Sequence, residues 1–238
     1  NVARSAQGQS CHRSRAASGF AAVILIPIKK TSEAKQRLAS VLDQPSRTRL
    51  AQAMLHDVLS ALHDWSDCPP VGVVTGDPFA IQLAKEYGFE LIPDAEDPGE
   101  TVAIEMATRL SVERGEQDTL VIPADIPLLQ AWELEEIWKH APVMGSVLVP
   151  AADGRGTNAA FRRPHNLFPL RFGNDSFKPH LAAAQATGQS CIVLNLPGIA
   201  VDVDNPEDLQ KLMMLPGNTR AQQLAREYVR TGKITSSV

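Results

Sequence analysis

Short β-rich apolar runs alternate with amphipathic helical stretches along nearly the whole chain, and few folds accept that alternation. Residues 20–27 form the first run and read as the first, central strand. Residues 31–42 and 46–65 then carry helical spacing. In the second, Leu50, Met54, Leu55, Val58, Leu59 and Leu62 share one face, with Ser46 as the cap. Further strands are expected at 71–75, 89–93, 119–123, 146–150, 158–162, 190–196 and 199–203. Further helices are expected at 78–87, between Asp77 and Gly88, and at 100–113, 132–140, 176–187 and 206–214. Strands separated by helices need a sheet covered on both faces. The first half reads as right-handed βαβ units, and the consecutive later strands make the sheet mixed. The fold class is therefore α/β with a mixed, mostly parallel central sheet.

The 238 residues show no linker long enough to separate two domains, so residues 20–215 read as one. Residues 1–19 are rich in Arg, Ser, Ala and Gln without apolar periodicity, and read as a disordered tail in preference to a transit leader. Residues 216–238 form a polar tail with one helix around 219–229; a homodimer formed through it is one expectation. A net charge of -4 gives no electrostatic footprint for nucleic acid. No apolar run approaches the ~20 residues of a membrane span. The three cysteines, Cys11, Cys68 and Cys191, are too scattered for a disulfide framework or a zinc site, and suit a reducing, cytoplasmic setting.

Two acidic motifs follow apolar runs. Pro123-Ala124-Asp125-Ile126-Pro127 comes directly after Leu120-Val121-Ile122, and Asp202-Val203-Asp204 comes after Pro197-Gly198-Ile199-Ala200-Val201. In an open α/β sheet the strand ends form the rim where ligands bind. Carboxylates gathered there repel one another unless a cation lies between them. A hard divalent ion with oxygen ligands, most simply Mg²⁺, relieves that repulsion. Read singly, each Asp is equally a helix N-cap or a turn former; a pair of such sites in one fold favours the cation.

Three other stretches carry chemistry. The first strand runs into Lys29-Lys30-Thr31-Ser32, followed by Lys35 and Arg37, a basic segment at a helix start where anions are favoured. The Walker-type and dinucleotide glycine signatures are both missing. Asp153-Gly154-Arg155-Gly156-Thr157-Asn158 allows close backbone approach to a ligand and offers polar groups; its plain reading is a hairpin turn. Leu170-Arg171-Phe172-Gly173-Asn174-Asp175-Ser176-Phe177 feeds a helix and is either an anion seat or an ordinary cap by Asn174 or Asp175.

Taken in order, I-P-I-K, A-K-Q-R-L, P-A-D-I-P-L-L, G-x-G-T-N, F-G-x-x-S-F and D-V-D-x-P-E-D-L resemble the phospholactate guanylyltransferases over residues 22–214. That family guanylylates a phosphoacid during assembly of the deazaflavin coenzyme F(420). The resemblance implies a Rossmann-like, three-layer nucleotidyltransferase fold, similar to the molybdenum-cofactor guanylyltransferases. It implies that Asp125, Asp202 and Asp204 hold Mg²⁺, and that Thr157, Gly173 and Ser176 bind the phosphoacid. Lys29, Lys35 and Arg37 would meet the phosphates of GTP, and the product would pass to a downstream transferase. Pro98-Gly99-Glu100-Thr101 stands where the family often has Gly-Leu-Asn, which leaves the choice of nucleoside open. A phosphomonoester is largely dianionic at neutral pH, so no general base is needed. Arg162, Arg163 or Arg171 could meet the acid's carboxylate, or be surface charges. Two other readings stand beside this one: a nucleotidyltransferase or glycosyltransferase acting on a sugar phosphate or sugar nucleotide, and a catalytically silent nucleotide-binding regulator.

Overall fold

The computed structural model describes residues 22–94, 99–173 and 175–234. The expected tail at 1–19, the first two residues of the expected first strand, Cys11, Pro98 and Asn174 lie outside them. A seven-stranded sheet is built from β1 (Ala22–Ile28), β2 (Val71–Thr75), β3 (Glu90–Pro93), β4 (Asp118–Val121), β5 (Gly145–Pro150), β6 (Thr157–Arg163) and β7 (Ser190–Val193). Its order is β3-β2-β1-β4-β6-β5-β7. Only β6 runs antiparallel to its neighbours; every other pairing is parallel. The mixed, mostly parallel sheet read from the sequence is the one the chain forms.

The helices are α1 (Gln44–Asp64), α2 (Pro78–Tyr87), α3 (Glu100–Glu113), α4 (Ala131–His140), α5 (Phe177–Ala186), α6 (Pro206–Met214) and α7 (Arg220–Arg230). The period-2 alternation of the strands explains the layering. Ile24, Ile26 and Ile28 of β1 pack with α1, α2 and α4 on one face. Val23 and Leu25 point the other way, into a core shared with Ala103, Ile104 and Ala107 of α3 and Ala184 of α5. A third apolar cluster joins α1, α6 and α7 through Met54, Leu209, Leu212, Ala221, Ala225 and Tyr228. Asp57 of α1 accepts the Arg220 and Ala221 amides at the start of α7, both at 2.9 Å, so this helix docks on its own chain. No helix among the described residues is long and apolar enough to cross a membrane.

Three local expectations fail. The helix expected at 31–42 is two single 3₁₀ turns, Thr31–Glu33 and Gln36–Leu38, separated at Lys35, whose φ of 57° is left-handed and cannot continue a helix. Ser46 is not the cap of α1: the Asp43 carboxylate accepts the Ser46 amide at 2.8 Å and starts the helix two residues earlier. Residues 199–203 are not a strand. Buried Glu133 of α4 accepts the Gly198 and Ile199 amides at 2.6 and 3.3 Å, so these donors are satisfied by a carboxylate and not by a ladder. Gly198 is required there, since a Cβ would collide with the Leu128 carbonyl and the Glu133 side chain. Asp202 and Asp204 therefore follow a turn and lie in irregular chain.

β1 is flanked by β2 on one side and β4 on the other. The loops leaving the carboxyl ends of β1 and β4 diverge, and the crevice between them is the topological switch point, where open α/β sheets bind ligands.

Candidate active site

A cleft of about 370 Å³ opens at that switch point, bordered by Lys29, Lys35, Arg37, Asp125 and Asp204. Buried Asp77 fixes its first wall. One carboxylate oxygen caps α2 through the Ala80 amide at 2.9 Å, and the other accepts the Thr31 amide and hydroxyl at 2.8 and 3.0 Å. That pins the start of the basic loop. The left-handed turn at Lys35 then sends its side chain inward, where Nζ lies 2.5 Å from Asp125 Oδ2 and 2.8 Å from Asp204 Oδ1.

The two acidic motifs meet directly. The Val203 amide donates to the Asp125 carbonyl at 3.2 Å, which lays the Asp202-Val203-Asp204 segment against the loop after β4. Asn158, the second residue of β6, donates from Nδ2 to Asp202 Oδ1 at 3.1 Å and to the Ile199 carbonyl at 2.9 Å. Burial raises the Asp202 pKa, and the nearby Asp125 and Asp204 charges add to it against the Asn158 hydrogen bond. Burial also acts on Asp204, but Lys35 and Arg37 outweigh it and hold that carboxyl below its ordinary value. Burial pulls the Lys35 ammonium down, and the two carboxylates overcome this and hold it above its ordinary range.

Asp125 and Asp204 thus converge on one positive centre, and among the described residues Asp202 pairs with the Asn158 amide and with no cation. The donor set is all hard oxygen, which suits a divalent cation of the Mg²⁺ class. Among the described residues no group of three or more His, Cys, Asp or Glu is arranged to hold a metal, and the Lys35 ammonium takes the central place.

A second polar cluster lies one residue away along β6. The Thr157 amide donates to Ser176 Oγ at 3.1 Å, and the two hydroxyls are 3.3 Å apart. Thr157 Oγ1 is also 2.9 Å from Nδ1 of buried His180, whose Nε2 accepts the Arg171 amide at 2.7 Å. The Phe177 amide donates to the Arg155 carbonyl at 2.8 Å, joining the start of α5 to the loop before β6. Gly173 sits on the exposed approach to α5 with φ 137°, a conformation strained for other residues, and open space surrounds it.

The structure therefore gathers Asp125, Asp202, Asp204 and Lys35, and separately Thr157 and Ser176. Lys29 stays exposed at the rim, and Arg37 is exposed with Nη1 3.9 Å from Asp204 Oδ2. Arg162 and Arg163 lie at the far end of β6 from Thr157, and the Arg162 charge acts on His180. Arg162 is buried and donates to the Phe168 carbonyl at 2.8 Å, and Arg163 pairs with Asp118 at 2.7 Å. Neither is a surface charge. Arg171 is exposed and enters the second cluster through its backbone amide. Asn158 was visible only as a polar residue after a glycine turn. Asp77, Glu133 and His180 carried no local signal beyond polar residues on helices or at a cap, because their partners are 46, 65 and 23 residues away in sequence.

Comparison with known proteins places the chain in a family. The model of the family described as "Guanylyl transferase CofC like" matches residues 22–238. A phosphoenolpyruvate guanylyltransferase of Roseiflexus castenholzii is 36% identical over 205 residues, covering 86% of this chain and 94% of its own. A 3-phospho-D-glycerate guanylyltransferase of Colwellia psychrerythraea is 35% identical over 193 residues, covering 81% and 91%. A 2-phospho-L-lactate guanylyltransferase of Methanothermobacter thermautotrophicus is 30% identical over 211 residues, covering 89% and 91%. Among solved structures, a cytidylyltransferase of Leptospira borgpetersenii superposes with a TM-score of 0.56 at 10% identity, over 92% of this chain and 98% of its own, a likeness of fold alone. A switch-point cleft walled by a basic loop and two acidic motifs, matched by that family model over residues 22–238, identifies this chain as a member of the CofC-like guanylyl transferase family.

Proposed function

We propose that this protein transfers GMP from GTP to the phosphate of a small phosphoacid (phosphoenolpyruvate, 3-phospho-D-glycerate or 2-phospho-L-lactate) and releases pyrophosphate. The observation that carries the reading is the meeting of Asp125, Asp204 and Lys35 in the switch-point cleft, with Asn158 linking Asp202 to the neighbouring Thr157 cluster. The names of the relatives set the range of acids.

A phosphate oxygen of the acid attacks the α-phosphorus of GTP, and the bond from that phosphorus to the β-bridging oxygen breaks in line. The acid is largely dianionic at neutral pH, so no proton must be removed from the nucleophile. The task left to the protein is to bring two polyanions together. Lys29, Lys35 and Arg37 face the nucleotide phosphates and stabilise the charge growing on pyrophosphate. Thr157, Gly173 and Ser176 hold the acid through hydroxyls and backbone. Asp125, Asp202 and Asp204 would hold Mg²⁺ only with the Lys35 ammonium moved from its place between Asp125 and Asp204, and the ion would then supply positive charge against the substrate phosphates.

The product class fits a role in coenzyme F(420) assembly, with a downstream transferase consuming the guanylylated acid. Cys191 is a free thiol, which suits a cytoplasmic setting. Pyrophosphate release tests the reading, with GTP and ATP each offered against the three acids. Release is expected with GTP and at least one acid. No release with any of them, or release only with sugar phosphates, overturns it.

A further inference from the structure

The Thr157 cluster contains one histidine that the reaction as described does not use, and its hydrogen bonds fix its protonation. The Arg171 amide points its proton at His180 Nε2, 2.7 Å away, so Nε2 carries a lone pair. Burial, with the Arg162 charge adding, lowers the His180 pKa to about 4, so the ring is neutral at physiological pH and its proton sits on Nδ1. Nδ1 is 2.9 Å from Thr157 Oγ1 and donates to it. The T-shaped contact with Phe172, ring centroids 5.1 Å apart, holds the imidazole plane.

The donor count then leaves a surplus. Thr157 Oγ1 accepts from His180, and Ser176 Oγ accepts from the Thr157 amide. The two hydroxyls share one hydrogen bond at 3.3 Å, which uses one of their two protons. The other proton has no acceptor among the described residues. The opposite tautomer would reverse this, because an unprotonated Nδ1 would take the spare proton itself. A hydroxyl pair with a committed surplus donor suits a ligand group that only accepts, such as a phosphate dianion or a carboxylate.

We infer that His180 is a positioning residue for the acceptor substrate: through the tautomer set by the Arg171 amide, it makes the Thr157–Ser176 hydroxyl pair a donor to the anionic phosphoacid. This rests on the function proposed above and deepens it. His180 touches no substrate itself; it acts through Thr157.

The test compares wild type with His180→Phe, which keeps a ring against Phe172 but removes both nitrogens, and with His180→Asn, which restores a side-chain N–H near Nδ1. Thr157→Val and the double variant complete a cycle. His180→Phe is expected to raise KM for the acid about tenfold, the effect of one hydrogen bond to a charged group, while KM for GTP stays put. His180→Asn recovers most of that loss, and His180→Phe adds nothing once Thr157 is Val. An unchanged acid KM in His180→Phe, a parallel rise in both KM values, or independent effects in the double variant overturns the inference. Calorimetric binding of phosphoenolpyruvate and of 3-phosphoglycerate to the same variants separates the two claims. Turnover without dependence on His180 removes the inference alone. Acid binding that depends on His180 without guanylyl transfer removes the function and leaves the inference. Neither binding nor turnover removes both.

Discussion

Two ion pairs of similar chemistry sit at the two ends of β4. Where the strand begins, Asp118 meets Arg163 at 2.7 Å, with side chains only 1% and 14% exposed. Arg163 also donates to the Pro142 carbonyl at 3.0 Å, which keeps its guanidinium tied to that end of the sheet. Four residues past the strand's other end, Asp125 meets Lys35 at 2.5 Å, but Asp125 is 26% exposed and Asp204 41%, and both border a cleft. The first site is a buried carboxylate–guanidinium pair and is sealed. The second has two carboxylates on Lys35, with Asp202 beside them and Arg37 more distant, and it is open. A sealed pair holds strands together, whereas charged groups that border an open cleft can meet a charged ligand.

The sharpest way to break this distinction is a matched pair of substitutions. Asp125→Asn is expected to lower guanylyl transfer by roughly 10²–10³-fold, the scale of losing one preorganised electrostatic contact, with little change in stability. Asp118→Asn should do the reverse. It weakens a buried charge-assisted contact and costs about 1–3 kcal/mol of stability, while each folded molecule keeps its transfer rate. Denaturant unfolding and initial rates on both variants decide the matter. Loss of stability in the first, or loss of turnover in the second, would erase the contrast between the two ends.

The same contrast explains what the sequence could tell. The central strand was legible because Val23 to Ile28 is apolar throughout, as a strand covered on both faces must be. The α2 helix was legible because Asp77 and Gly88 cap it locally. The acidic motifs were legible as motifs, and the structure brings them together. Their counter-charge was not. Lys35 reaches Asp204 across 169 residues, and its inward aim depends on a left-handed backbone that local pattern assigned to a helix. The expected strand at 199–203 failed for a similar reason. Ile199 and Val203 are buried, yet its turn is held by Glu133 from a distant helix. Arg162 and Arg163 were indistinguishable in sequence from site arginines; only the direction of β6 puts them at the closed end.

Removing the cation from each pair sharpens the comparison by a smaller effect. Lys35→Met leaves Asp125, Asp202 and Asp204 clustered with less compensating charge beside an open cleft. Added Mg²⁺ is expected to stabilise this variant more than wild type, by up to about 2.7 kcal/mol at a hundredfold excess over its dissociation constant. Arg163→Met leaves Asp118 equally without its partner, but behind the closed end of the sheet, so Mg²⁺ should give no added stabilisation. Thermal unfolding with and without Mg²⁺, in the absence of nucleotide, reads this directly. Equal Mg²⁺ responses in the two variants would mean that the open end has no special claim on a cation.

The smallest effect lies in the pH dependence, where the two ends have opposite signs. Burial raises the Asp118 pKa, and the Arg163 hydrogen bond and charge do not fully offset it. A carboxyl whose folded pKa is raised contributes stability below its unfolded pKa, and that contribution is lost as pH rises through the folded value. At Asp204 burial acts the same way, but Lys35 and Arg37 outweigh it and lower the pKa. Its contribution is present above the unfolded pKa and is lost as pH falls through the folded value. Asn mimics the uncharged acid at either position. The stability difference between wild type and Asp118→Asn should therefore shrink as pH rises from about 3 to about 7, while that between wild type and Asp204→Asn should grow over the same window. Urea titrations of the three proteins in metal-free buffer give both slopes. Slopes of the same sign would mean that burial, and not the number of cations within reach, governs the carboxylates at both ends, and the open site would lose its electrostatic distinction.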